Sequence, residues 1–185
     1  MSSEGQVILD AEAIDRVIRR MALAILDQTR GASRLALVGI RRGGVALAER
    51  LAREITRAEG QEVPTGTVDI TLYRDDAATA LPDPKIGPSD VPFDVRGMDV
   101  VLVDDVLMTG RTVRAALGCL MDYGRPRRVW LAVLLDRGGR ELPVAADFVG
   151  RTVEVPEGSR VDVVLDGEEP DRVVVVSPED RGGVR

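Results

Sequence analysis

The sequence predicts an α/β fold: a central, mostly parallel sheet flanked by helices, with a small hood and a C-terminal β-hairpin. Two observations carry the sheet. Apolar runs at 35–40, 100–103 and 131–135 are each too short to cross a membrane, and stretches of helical period separate them. Strands alternating with helices form right-handed parallel crossovers, and such sheets take their ligands at the carboxyl ends of the strands. The hood rests on a third observation, a change after Asp136 to turns and two last apolar runs.

The elements follow in order. Ile14, Val17, Ile18, Met21, Ile25 and Leu26 recur at helical spacing after an Asp10 cap, and Gly31 closes this first helix. Leu35-Ala36-Leu37-Val38-Gly39-Ile40 reads as a buried strand, and Arg41-Arg42-Gly43-Gly44 leads into a second helix through Val45, Ala48, Leu51, Ala52 and Ile55. A strand is expected around 67–73. Residues 74–92, rich in Asp, Pro, Ala and Gly and without an apolar period, are expected to form a long mobile loop. A strand from Val100, its helix to Tyr123, a Gly124-Arg125-Pro126 break and a last sheet strand over 129–135 complete the core. Residues 136–160 supply the hood, 161–165 and 173–176 pair as a hairpin, and 179–185 fray.

Composition narrows the chemistry. At 185 residues the chain is expected to be a single domain, and one of this size buries about 70% of its unfolded surface, enough for a full core. With one cysteine, Cys119, there is no internal disulfide, and its place inside a helical run makes it a packing residue. The absence of histidine excludes His-based zinc sites, Ser-His triads and Cys-His dyads, so proton transfer falls to carboxylates or to the substrate. No signal-like or membrane-spanning stretch is present, from which a cytoplasmic location and no membrane partner are expected. A net charge of −6 argues against indiscriminate nucleic-acid binding without forbidding a local basic face.

The most specific motif is Val100-Val101-Leu102-Val103-Asp104-Asp105-Val106-Leu107-Met108-Thr109-Gly110-Arg111-Thr112. A strand ends in two carboxylates and a Thr-Gly-Arg-Thr turn opens a helix. The N–H groups of a helix N-terminus, flanked by two threonine hydroxyls, suit a phosphate monoester, while paired carboxylates suit sugar hydroxyls or a metal ion. The ligand implied is a sugar phosphate. Gly39-Ile40-Arg41-Arg42-Gly43-Gly44, at another strand end, can receive a pyrophosphate on its backbone with Arg41 or Arg42 supplying charge. Arg74 and Lys85 are loop cations for a leaving group, and Arg137 and Arg140 lie in a turn at the same edge. A solvated surface arginine is the plain alternative for each.

The thirteen-residue motif resembles the phosphoribosyl-pyrophosphate (PRPP) signature of type I phosphoribosyltransferases. Together with D-I-T-L-Y-R-D-D at 69–76, G-R-P-R-R at 124–128 and L-L-D-R-G-G-R-E-L-P from Leu134, it resembles in order the PyrR family, bifunctional pyrimidine operon regulators and uracil phosphoribosyltransferases, over roughly 7–176. The resemblance implies the type I phosphoribosyltransferase fold, a homo-oligomer (dimer or larger), Mg²⁺ used with PRPP, and binding of uracil and of UMP or UTP. It also implies binding of pyrimidine leader mRNA.

On that resemblance Asp104 and Asp105 are catalytic, fixing the ribose and its metal. Val106, Leu107, Met108, Thr109, Gly110, Arg111 and Thr112 hold the 5′-phosphate, Arg41, Arg42 and Gly43 meet pyrophosphate, and Arg137 with Val161 flank the base. Arg19, Arg20, Arg140 and Arg151 form the RNA face. This chain departs from the family at the pyrophosphate loop, where Arg42-Gly43-Gly44 replaces Thr-Arg-Gly. It departs again where RNA-binding members carry Thr, His and Arg on the first helix and this chain has Arg19, Leu23 and Gln28. Gly139 and Ala145 replace a His and an Arg of the base-side turn. Two rival readings follow, a catalytically weak nucleotide-sensing RNA regulator and an enzyme without an RNA role.

Overall fold

The computed structural model describes residues 5–75 and 88–181. Strand β1 (Gln6–Asp10) runs into helix α1 (Ala11–Thr29), followed by β2 (Leu35–Ile40), α2 (Gly43–Glu59) and β3 (Thr65–Val68). After the segment outside the described residues come β4 (Asp99–Leu107), α3 (Arg111–Met121), β5 (Arg128–Asp136), β6 (Phe148–Thr152), β7 (Arg160–Val164), β8 (Arg172–Val176) and a 3₁₀ turn (Glu179–Arg181). Five parallel strands in the order β3-β2-β4-β5-β6 form the core, and β1-β8-β7 form a separate antiparallel hood.

Local chemistry sets these bounds. Asp10 has extended backbone and its side chain accepts from Ala13 N, satisfying one of the orphan donors at the start of α1. Helix α1 ends at Thr29, two residues before the expected Gly31. Arg30 itself adopts the left-handed conformation, and the Gly31 N–H reaches Leu26 O at 2.9 Å. Alternation along the sheet sends Leu35, Leu37, Val101 and Val103 into a cluster with α1 and α2, and Val38, Ile40, Val100 and Leu102 into a second cluster with α3. Cys119 is buried in that second cluster as a packing residue.

Four expectations are corrected. The strand placed at 67–73 ends at Val68, because Asp69 Oδ1 accepts from both the N–H and the hydroxyl of Thr71 (2.9 and 2.6 Å) and turns the chain. Residues 88–92 of the expected loop return beside β3, where Thr67 and Asp90 exchange two backbone bonds of 2.7 and 2.8 Å. Lys85 and the rest of 76–87 lie outside the described residues. The sheet does not finish at β5, since β6 pairs with it as a parallel edge strand, and β1 joins the hood. Finally, 179–181 are not frayed, because the Ser177 N–H and hydroxyl both bond Asp180 Oδ2 (3.0 and 2.7 Å), while 182–185 lie outside the described residues.

Two contacts fix the edge of the sheet. The Trp130 ring carries the Arg128 guanidinium over it, 5.1 Å from its centroid, and packs tilted against Phe148, 6.1 Å away, joining β5 to β6. Gly150 of β6 lets α1 come down onto the sheet: a Cβ there would lie 2.4 Å from Leu134 O, 2.7 Å from Val17 Cγ1 and 3.1 Å from Met21 Sδ. Arg20 of α1 donates to the Gly150 carbonyl and closes the contact. Gly150→Ala is therefore expected to destabilise the chain by about 1–3 kcal/mol, the scale of an overpacked core, read as a lowered urea midpoint at unchanged m-value.

Candidate functional site

Strands β2, β4 and β5 deliver their carboxyl ends to one edge of the sheet. Asp104 and Asp105 sit within β4 rather than beyond it, because β5 extends alongside as far as Asp136, paired with Leu107. Strand alternation sends the two side chains to opposite faces. The Asp105 N–H bonds Asp104 Oδ1 at 3.0 Å, and the Val106 N–H bonds Asp105 Oδ1 at 2.8 Å. Asp104 is only 6% exposed, and burial together with the adjacent Asp105 carboxylate pushes it well above the usual carboxylate range.

The turn after β2 lies directly on this acid pair. A Cβ on Gly43 would fall 2.0 Å from Asp105 Oδ2, and one on Gly44 would fall 2.0 Å from Val103 O. Glycine at both positions is thus what allows α2 to start against the end of β4. The Arg41–Arg42 peptide is cis, the Arg41 N–H bonds Val68 O at 2.9 Å, and both arginine side chains are exposed. Two exposed cations thus directly precede the glycine that abuts Asp105.

Met108, Thr109 and Gly110 form the turn into α3, with Gly110 at a φ of 91°. Gly110 has no side chain with which to cap this helix, and the Arg111 N–H bonds Thr109 Oγ1 at 3.3 Å, so the N–H groups that follow face the turn as an anion cradle. The turn after β5 backs the cradle, because the N–H groups of Glu141 and Leu142 both donate to Thr109 O at 3.0 Å and Val144 covers Gly110. Arg111 contributes only backbone here. Its guanidinium reaches Glu141 at 2.6 Å and Asp75 at 2.5 Å, tying the stem of the 74–92 segment to the turn after β5. Glu141 is a member that the sequence reading did not single out.

Among the expected base-side residues, Arg137 donates to Ser159 O at 3.1 Å, two positions before Val161 on the hood strand β7. The two are brought to the same seam. Arg140 is consumed inside the turn, donating to Asp136 (2.6 Å), Val144 O (2.8 Å) and Met108 O (3.0 Å), and it holds Asp136 below the usual carboxylate range. The expected RNA face is divided accordingly. Arg19, Arg20 and Arg151 are exposed with Leu23, but Arg20 holds Gly150 O and Arg151 donates to Ile8 O at 2.9 Å, while the Arg140 guanidinium is spent on the site. Arg74 lies in the described stem of the loop.

The acid pair suits a metal ion only in part. Among the described residues no group of three or more acidic, histidine or cysteine side chains surrounds a common point, so Asp104 and Asp105 fit an ion held mainly by substrate oxygens. No helix among these residues is long and apolar enough to cross a membrane.

Comparison with known proteins agrees with this geometry. Residues 5–171 match the phosphoribosyl transferase domain. A bifunctional protein PyrR from Pelotomaculum thermopropionicum is 52% identical over 179 residues, spanning 95% of this chain and 98% of that protein. Another from Listeria monocytogenes serotype 4b is 49% identical over 175 residues, spanning 91% and 95%. The hypoxanthine phosphoribosyltransferase of Trypanosoma cruzi superposes with a TM-score of 0.70 over 94% of this chain and 97% of that one, at 20% identity, a likeness of fold.

The burial of Asp104 has a stability consequence. A carboxyl whose folded-state pKa is raised contributes stability that is fully present below the unfolded value, about 4, and lost as pH rises through the folded value. Asp104→Asn removes that loss. In metal-free buffer its melting temperature should exceed that of the native chain at about pH 8 and converge with it at about pH 4. Parallel melting curves across that range would contradict the burial of an ionisable Asp104.

Proposed function

The chain belongs to the phosphoribosyl transferase domain family and, within it, to the bifunctional PyrR proteins, and we propose on that premise that it transfers the phosphoribosyl group of PRPP to uracil, releasing pyrophosphate and forming UMP. The observation that carries this reading is the buried Asp104 beside Asp105, on the strand that leads through the turn at Met108, Thr109 and Gly110 into the N-terminus of α3. Acids and an anion cradle at that spacing fit the hydroxyls and the 5′-phosphate of one ribose.

The division of labour follows from chemistry. Uracil N1 attacks C1 of the ribose as the C1–oxygen bond to pyrophosphate breaks and its electron pair leaves with the pyrophosphate. No histidine exists to take the N1 proton, so it passes to a carboxylate or to the departing pyrophosphate, itself a base. Asp104 and Asp105 hold the ribose hydroxyls and stabilise the positive charge developing at C1. The 106–112 backbone and Thr109 anchor the 5′-phosphate, Arg41, Arg42 and the backbone at Gly43 meet pyrophosphate, and Arg137 with Val161 flank the base. Asp104 and Asp105 would be the protein neighbours of Mg²⁺ carried with PRPP, and the ion when bound would supply the positive charge that lets so anionic a leaving group depart.

In the second half of its function the chain senses UMP or UTP and regulates pyrimidine biosynthesis genes through leader mRNA, as a cytoplasmic homo-oligomer. Arg19, Arg20 and Arg151, each exposed, support an electrostatic RNA contact despite the net charge of −6. A specific observation favours a differently tuned regulator. Leu23, 61% exposed where the family carries a histidine, offers no hydrogen bond to a base.

Asp105→Asn should keep the fold and lose about 2–4 kcal/mol of transition-state stabilisation, read as kcat/KM with labelled uracil and PRPP. Native turnover in this variant would remove Asp105 from the reaction. A gel-shift titration with a pyrimidine leader RNA, with and without UMP, should give weak binding that falls steeply with salt, because phosphate contacts release counterions. Tight, salt-insensitive and UMP-stimulated binding would contradict the altered RNA face.

A further inference from the structure

Arg50 projects from α2 into the seam between core and hood, where its side chain is only 12% exposed. Nη2 lies 2.5 Å from Asp15 Oδ1 on α1, and Nη1 donates to Asp171 Oδ2 just ahead of β8. Asp166, in the turn between β7 and β8, stands 3.7 Å from the same Nη1. One planar guanidinium therefore gathers carboxylates from α1 and from both sides of the hood turn. Asp171 uses its other oxygen to accept the Asp166 N–H at 2.9 Å, so the carboxylate that grips Arg50 also closes the turn. A fork matched to two carboxylates is a directional joint that a lysine does not reproduce.

The joint connects two parts of the site that do not touch through the chain. Helix α2 starts at Gly43 against Asp105, and Arg50 leaves it about two turns later. Strand β7 is tied ahead of its first residue by Arg137 on Ser159 O and beyond its last residue by Arg50 on the turn. Val161 sits between these ties.

We propose that Arg50 is a positioning residue for the base: by fixing the hood turn to α1 and α2 it sets where β7 and Val161 stand relative to the acid pair. It thereby governs recognition of uracil and UMP more than recognition of the sugar phosphate. The proposal rests on the reading of Arg137 and Val161 as base-flanking residues. It assigns Arg50 no contact with substrate.

The test compares the full-length native chain with Arg50→Gln and Arg50→Lys, titrating UMP and ribose 5-phosphate by calorimetry and measuring KM for uracil and for PRPP. Arg50→Gln should weaken UMP and raise KM for uracil about tenfold, with ribose 5-phosphate affinity and KM for PRPP changed less than about twofold, and Arg50→Lys should fall between. Should Arg50→Gln fail to fold, Asp171→Asn, which keeps an acceptor for the Asp166 N–H, should give the same split. Equal weakening of both ligands, or a lowered melting temperature with unchanged UMP affinity, would overturn the proposal. A native chain that binds ribose 5-phosphate but neither binds UMP nor uses uracil would instead overturn the base-side reading, and the proposal with it.

Discussion

The close approach of α2 to the end of β4 is the constraint on which the rest of the molecule turns. Gly44 brings the helix backbone onto Val103 O and Gly43 brings it onto the Asp105 carboxylate, and neither contact leaves room for a side chain. This fixes the distance between the turn carrying Arg41 and Arg42 and the strand carrying the acids. It also aims α2 along the core towards the hood. Because parallel strands share one polarity, the cradle at α3 and the turn after β5 arrive at the same edge without further machinery.

The acid pair is expensive to keep. Asp104 is buried with one backbone donor and a neighbouring carboxylate, an arrangement that folding energy alone would replace with an uncharged side chain. A stable core on both faces of the sheet carries that cost, and the hydrogen-bonded turn at Thr109 and the guanidinium of Arg140 hold the surrounding loops in place. Electrostatic preorganisation of this kind is what a reaction developing positive charge needs.

Much of this was legible in the sequence, and the exceptions have physical causes. Strand β2 was readable to the residue, because all six of its residues are buried and a doubly covered parallel strand is apolar throughout. The 100–112 motif was readable because acids and a Thr-Gly-Arg-Thr turn carry chemistry at fixed spacing. Strand β6 was hidden, since Phe-Val-Gly-Arg-Thr offers little apolar signal and its central glycine is there for α1. Strand β1 was hidden because it runs straight into the cap of α1 and pairs only with the distant β8. Within the site, the engagement of Arg111 by Glu141 and Asp75 depends on partners thirty and thirty-six positions away, which no local pattern encodes.

The chain's one tryptophan has an optical consequence. Trp130 stands near the amino end of β5, under a guanidinium and beside Phe148, at the end of the strand opposite the acid pair. Its indole N–H is buried with no partner among the described residues. Its emission therefore registers the seam between β5 and β6 opening to water, and a ligand arriving at the far end of the sheet leaves it dark to the event. Fluorescence on this chain is a gauge of folding, and occupancy has to be followed by another signal.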